Sequence, residues 1–381
     1  MYSSMHWNNI FAAAFLVLGI AVFFYARSIR QGGKPWWAFT VLAIGLASAG
    51  MLIPEGIFRT LCVDAAAFSA VGLLWSDNAP KARAAARTYL VVVGAAVLCL
   101  LGAEFLSISG QPAAPLNKLV IALLLVGFAL KLALIPLYFW LPQVAESAAP
   151  MSVAVILSVV DIAAFTELAH LQTTHPWVFA DHRELWIAMA LLSMFGGAIL
   201  AIGQTSLRRM LAFSTIDDLG YLLLGVCVGT EVGITGAMLG ALAHALFKVI
   251  LFGATGIAEN GLGHTLTLKD HGLAGRFPWA GFAFIVASLG MIGVPPMIGF
   301  SGRWRLYLSG ITTGGLWLGV AMALATILTL FYYVRAIHRI WMGSPDDSAV
   351  AAEPRLAGAV LIALVCLALV LGMIPAWLLS L

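Results

Sequence analysis

Two lysines, Lys131 and Lys248, stand inside long apolar stretches of this 381-residue chain, and so do Asp64, Asp161, Asp217 and Asp218. His244 precedes Lys248 by four residues, so a helix would present both on one face. A charged side chain at the centre of a membrane-inserted helix costs about 2.5–3.5 kcal/mol on insertion scales, so such residues face a bundle interior and pair, or sit beside water. An ammonium group whose counter-charge comes and goes can bind and release a proton, because burial and a neighbouring opposite charge push its affinity in opposite directions. Lysine, aspartate and histidine strung along a bundle interior are the materials of a proton relay. The alternative use of the same residues is a set of fixed intramembrane ion pairs. Glu104, Glu167 and His170 lie nearer segment ends and are expected to reach the membrane interface.

The elements that would position these groups are helices. The chain is 62% hydrophobic and only 10% charged, against about 25% charged in soluble domains. Apolar runs of roughly 20 residues recur throughout, each long enough to span a bilayer as a helix, and the alternating pattern of a membrane barrel is absent. The runs predict about twelve spans: 8–26, 36–53, 57–75, 86–106, 117–138, 150–170, 184–203, 208–229, 232–257, 278–300, 312–335 and 355–379. The fold class is thus an all-α membrane protein with almost no room for a soluble domain. At the N-terminus the basic residues follow the apolar stretch, which argues for a retained first helix and against a cleaved signal peptide.

Two spans carry helix breakers, Pro136 in one and the Pro295–Pro296 pair in the other. Proline removes a backbone donor, and broken helices in corresponding places suggest an internal repeat with an ion site between its copies. Pro136 in particular leaves the Leu132 carbonyl without its helix partner, where it can hold water beside Lys131.

Loop charge sets the orientation. Thirteen Lys and Arg residues collect on one side and five (Arg59, Lys118, Arg183, Arg303, Arg305) on the other. The first side is therefore expected to be cytoplasmic, with both termini outside. Twelve tryptophans, several near span ends, fit interfacial anchoring. Chemistry of other kinds finds no support. There is no phosphate-binding glycine loop, dinucleotide fingerprint, zinc-protease pair or nucleophile elbow. Cys62, Cys99, Cys227 and Cys366 form no CxxC pair, so neither metal nor cluster is suggested. No catalytic site, cofactor or nucleic-acid partner is expected.

Four stretches carry a family likeness: KLALIPLYFWLPQVAESAAPMSVAVILSVVD, LRRMLAFSTIDDLGYLLLG, HALFKVILFGATG and GVPPMIGFSGRWRLY. In order and spacing they resemble the antiporter-like, proton-translocating membrane subunits of respiratory complex I. Relatives of those subunits occur in membrane-bound hydrogenases, formate hydrogenlyases and Mrp cation/proton antiporters. The likeness runs from about Leu61 to Tyr307, and Lys131, Pro136, Trp140, Leu141, Pro142 and Pro150 match its most characteristic stretch. It implies that Lys131 is the central lysine of a first half-channel, with Asp64 where the family has a partnering glutamate. Lys248 falls on the second half's lysine, with His244 one turn earlier. Arg303 falls where many members have lysine or glutamate at the exit.

The sequence also departs from the family. Asp161 stands where a lysine usually links the halves, with Ile156 near a histidine position. Asp217–Asp218 replaces a sequence often containing histidine or Glu-Asn, and N-terminal helices of the family are missing. The implied organisation is an N-terminal helix (1–35), two inverted repeats of five helices (36–170 and 184–335) and a C-terminal helix (355–381). The implied function is proton movement as one subunit of a redox-driven complex in a bacterial inner membrane, with other membrane subunits and the lipid bilayer as partners. H⁺ is the expected ion and Na⁺ its alternative. Three other readings stay open: an Mrp-type Na⁺/H⁺ antiporter subunit, the proton channel of an inorganic-carbon uptake module, and a structural subunit that no longer pumps.

Overall fold

The computed structural model describes residues 2–54, 56–77, 80–107, 113, 116–344 and 352–373. The described residues are overwhelmingly helical. The helices are α1 (Tyr2–Ser28), α2 (Lys34–Leu52), α3 (Ile57–Ser76), α4 (Pro80–Ser107), α5 (Leu116–Lys131), α6 (Trp140–Ser147) and α7 (Pro150–Val155). A π-helical turn, Ile156–Val160, joins α7 to α8 (Asp161–Thr174). Next come α9 (Trp177–Ala180), α10 (Arg183–Ile202), α11 (Leu207–Val228), α12 (Glu231–Leu262), α13 (Leu273–Arg276), α14 (Pro278–Ile292) and α15 (Ile298–Gly314). A second π turn, Ile337–Trp341, extends α16 (Leu316–Ala336), and α17 (Arg355–Met373) ends the described chain. Residues 374–379 of the expected last span lie outside the described residues.

Ten helical stretches among the described residues are long and apolar enough to cross a membrane, with α7, the π turn and α8 counted as one. The pairs α5–α6 and α14–α15 supply two further crossings, each broken in the middle. Broken crossings are therefore the fifth and the tenth. Five is an odd number, so helices related by that offset run in opposite directions, as an inverted repeat requires.

Each break extends further than a single missing hydrogen bond. α5 stops at Lys131, five residues before Pro136, and Ala133 adopts φ 51°. The Leu130 carbonyl, exposed by the end of the helix, accepts from the Trp140 indole at 2.8 Å. The Ile135 amide donates to Ser193 Oγ on α10 at 3.0 Å. The whole turn, rather than the Leu132 carbonyl alone, is unwound and held from outside. At the second break Gly293 takes φ 92°, a left-handed conformation that costs glycine little, and its amide closes the end of α14 on Leu289.

The core helices are α11, α12 and the α7–α8 crossing, at least nine-tenths buried within the bundle. These three carry Asp161, Asp217, Asp218, His244 and Lys248. Close approach seats α11 against α10: a Cβ on Gly197 would lie 2.4 Å from the Asp217 amide nitrogen. The end of α3 is tied to the start of α7 through Asp77, which accepts from the Ala149 amide at 2.9 Å and from the Ser152 hydroxyl at 3.1 Å. Burial pushes the Asp77 carboxyl up to about 6 despite these bonds.

Several sequence-based boundaries change. α8 runs on to Thr174 and α15 from Ile298 to Gly314, where the sequence suggested ends at 170 and 300. Glu167 and Arg303 are thereby inside the bundle, and Arg305 is in a helix. α12 continues to Leu262, which shortens the connection to α14; the rest of that connection bridges back from Thr267 to Ser206. Trp75, Trp279 and Trp317 are exposed at helix ends, as interfacial anchors should be, whereas Trp36, Trp140, Trp186 and Trp341 are fully buried packing residues.

The charge bias sharpens with these changes. Arg59 and Arg303 are buried, so the poorer side keeps only Lys118, Arg183 and Arg305. Cysteines introduced at Lys269 and Thr173, both exposed, are expected to label from opposite faces of the membrane, Lys269→Cys from the cytoplasm. Labelling from a common face would mean that the crossings have been miscounted.

Candidate functional site

Lys131 ends α5 with its side chain buried, and its ammonium is shared by two carboxylates. Nζ lies 2.6 Å from Asp64 Oδ1 on α3 and 3.1 Å from Glu167 Oε2 on α8. The expected partner Asp64 is in place. Glu167 is the correction: it is a ligand of the lysine and not an interfacial residue. One further turn of α8 accounts for the difference. The signal in the sequence was the pair Glu167–His170, three apart and on one helix face.

A second cluster surrounds Asp218 on α11. Its Oδ1 accepts from Arg303 Nη2 at 3.0 Å, and its Oδ2 lies 2.8 Å from His244 Nδ1 on α12. Arg303 also donates to the Met291 carbonyl at the second break, at 2.9 Å, and stacks over the Tyr221 ring at 4.0 Å. Gly293 leaves room for this side chain, since a Cβ there would sit 2.9 Å from Arg303 Cδ. Each half thus pairs an acid with a cation from its broken crossing. The cation precedes the break in the first half and follows it in the second, so the halves match in chemistry but not in register.

The antiparallel helices α11 and α12 line up the remaining groups. His244 meets Asp218; one turn on, Lys248 donates to Ser214 Oγ at 2.7 Å and to the Leu211 carbonyl at 2.9 Å. Among the described residues no carboxylate lies within ion-pairing distance of Lys248. Asp217 faces the other way and accepts from Thr329 at 2.7 Å and Tyr332 at 2.8 Å, both on α16. Tyr333 reaches Ser214 at 3.2 Å. These α16 hydroxyls were not singled out in the sequence, although Thr326, Thr329, Tyr332 and Tyr333 form a polar stripe at helical spacing.

Asp161 opens α8 directly after the π turn, is 1% exposed, and its Oδ2 has no hydrogen-bond partner among the described residues. Its electrostatic partner is Lys131. The helix that carries it packs on α12, which carries Lys248. The expected row is therefore two bonded clusters, with Asp161 on the Lys131 side and Lys248 one turn from His244, neither in a direct ion pair among the described residues. Pro136, Pro295 and Pro296 lie in the two breaks. Among the described residues no group of histidine, cysteine and acidic side chains could hold a metal.

Residues 75–329 match the family described as NADH:quinone oxidoreductase/Mrp antiporter, transmembrane. The chain belongs to this family. NADH-quinone oxidoreductase subunit N 1 of Streptomyces griseus is 31% identical, over 94% of this chain and 80% of that protein. Subunit N of Acidithiobacillus ferrooxidans is 30% identical over 65% of this chain, and there the match spans only about half, 52%, of the relative. The fold agrees. A chain of the Mrp complex from Dietzia superimposes with a TM-score of 0.86 at 20% identity, covering 97% of this chain and 81% of that one. A chain of respiratory complex I from Thermus thermophilus gives 0.84 at 22%, covering 97% and 82%. This member of the family is a multi-pass membrane protein whose two breaks, Lys131 and the Asp218 cluster all fall within the matched stretch.

Proposed function

We propose that the chain moves protons across a bacterial inner membrane as one antiporter-like subunit of a larger redox-driven complex. The observation that carries this reading is the Lys131 ammonium, buried at the end of a broken helix and shared between Asp64 and Glu167. A fixed ion pair needs one counter-charge. Two carboxylates around one ammonium give the group alternative partners, and shifting between them changes how firmly its proton is held. Asp161 and Lys248 continue the path to His244, Asp218 and Arg303, with Asp217 and its hydroxyl partners flanking it.

Energy would arrive from partner subunits through the membrane as a change in these pairings. The residue division 36–170 and 184–335 describes the two half-channels, with both termini outside. A working role for Asp161 is supported over a purely structural one by its buried Oδ2, which has no partner among the described residues, since most buried polar atoms are bonded.

Purification from native membranes should recover the chain with other membrane subunits, identified by mass spectrometry. The isolated chain, reconstituted in liposomes, should show no Na⁺/H⁺ exchange. Exchange by the single chain would overturn the subunit reading and favour a self-sufficient antiporter.

A further inference from the structure

Arg305 stands on α15 two residues beyond Arg303, and the fold treats the two side chains differently. Arg303 is buried and bonded to Asp218. Arg305 is partly exposed beside the exposed Trp304 and Leu308, and its Nη1 donates to the Ser301 carbonyl at 2.9 Å. Among the described residues no carboxylate lies within ion-pairing distance of it. Gly236 on α12 backs its Cβ. Neither α15 nor the adjoining stretch of α12, residues 232–240, carries an acidic residue. α17, which also packs on α15, has none in its described length. Depth makes this costly. Arg305 precedes Gly314, where α15 ends near the interfacial Trp317, by nine residues of helix, a drop of about 14 Å. Its guanidinium is aimed deeper still, because Ser301 lies one turn nearer the break. A side chain snorkelling to the headgroups would turn the other way.

Resting on the reading of the chain as one subunit of a larger assembly, we infer that this face of α15 docks a membrane-spanning helix of a neighbouring subunit, and that this helix carries an aspartate or glutamate paired with Arg305. Charge complementarity selects the occupant. Lipid tails offer the guanidinium no acceptor, and lipid phosphates lie on the side from which it is turned away. A carboxylate on a facing helix, at the depth of Ser301 to Arg305, supplies acceptors for the N–H groups that the Ser301 carbonyl leaves open. The surroundings fit a protein partner. The exposed rings of Phe300 and Trp304 stack with centroids 6.1 Å apart, and Leu308 and Ile311 continue the exposed stripe at helical spacing. Arginine beside tryptophan is the composition of interface anchor points. Arginine also stays protonated, so this pair holds while the relay groups gain and lose protons. It is an anchor between subunits and takes no part in transfer.

The test uses the whole complex in native membranes. A photoreactive benzophenone residue is placed at Leu308, one turn outward of Trp304, and the peptide it links on irradiation is identified by mass spectrometry. The expected product joins the chain to a membrane segment of another subunit that contains an aspartate or glutamate. Arg305→Leu should then lower recovery of that subunit on purification at least about tenfold, as loss of one partner of a desolvated charge pair does. The stability of the chain itself in detergent should be unchanged or raised, since leucine suits a lipid-facing position. Arg305→Asp, combined with an arginine in place of the partner's acid, should restore recovery. Crosslinking to phospholipid alone or to a segment without an acid overturns the docking site, and so does full recovery of the complex with Arg305→Leu. If the wild-type chain purifies with no other membrane subunit, the subunit reading itself fails and this inference with it, a result distinct from an intact complex that ignores Arg305.

Discussion

Replacing Lys131 with alanine is expected to abolish coupled proton movement, a loss of about a hundredfold or more if the ammonium is the transferring group. The substitution removes the cation from between Asp64 Oδ1 and Glu167 Oε2. Stripping one partner from a buried ion pair costs about 3–5 kcal/mol. Here the loss is softened, because one of the two carboxylates can take up a proton and Glu167 borders a cavity between α3, α4, α5 and α8. Assembly should fall only in part, and electron transfer in the surviving complex should continue. Lys131→Arg separates charge from exchange. The guanidinium keeps both ion pairs, so assembly should be normal, but it stays protonated and proton movement should fail nearly as badly. The measurement is proton uptake by proteoliposomes holding the whole complex, with assembly followed by co-purification. Normal pumping in either variant would end the relay reading.

The sequence showed which residues matter better than it showed what they touch. Charges inside apolar runs are visible because insertion makes them costly, and Lys131, Asp64, Asp218, His244 and Arg303 do meet in bonded clusters. Glu167 was read as interfacial because its helix appeared to end four residues early, and at a span end one turn separates a ligand from a surface residue. Arg303 was counted among loop charges for the same reason, though its family position also marked it for the site. The partners on α16 are ordinary threonines and tyrosines, which cost little in a membrane helix and so leave no signal until the fold sets them against Asp217. The cavity at Glu167 was not legible at all, since it is made by the spacing of four helices.

Asp161→Asn should leave assembly unchanged or slightly improved while cutting proton movement at least about tenfold, toward the low side of what a positioned proton-transfer group contributes. The first half of that expectation follows from burial. Asparagine keeps the shape and removes an ionisable group whose Oδ2 makes no hydrogen bond among the described residues, so little native bonding is lost. The second half follows from position. Asp161 follows the π turn of the sixth crossing, feels the charge of Lys131, and lies on a helix packed against the one that bears Lys248. π turns interrupt helices frequently at functional sites, and Asp161 is the first residue after this one. A carboxylate there can accept the proton that Lys131 gives up and hand it on, with charge changing from negative to neutral where a lysine would change from neutral to positive. Asparagine can do neither. Asp161→Glu, which keeps the acid on a longer arm, should retain part of the activity. If Asp161→Asn pumps as well as the wild type in proteoliposomes of the whole complex, the two clusters are not linked through this residue, and the structural-subunit reading gains the ground that the relay loses.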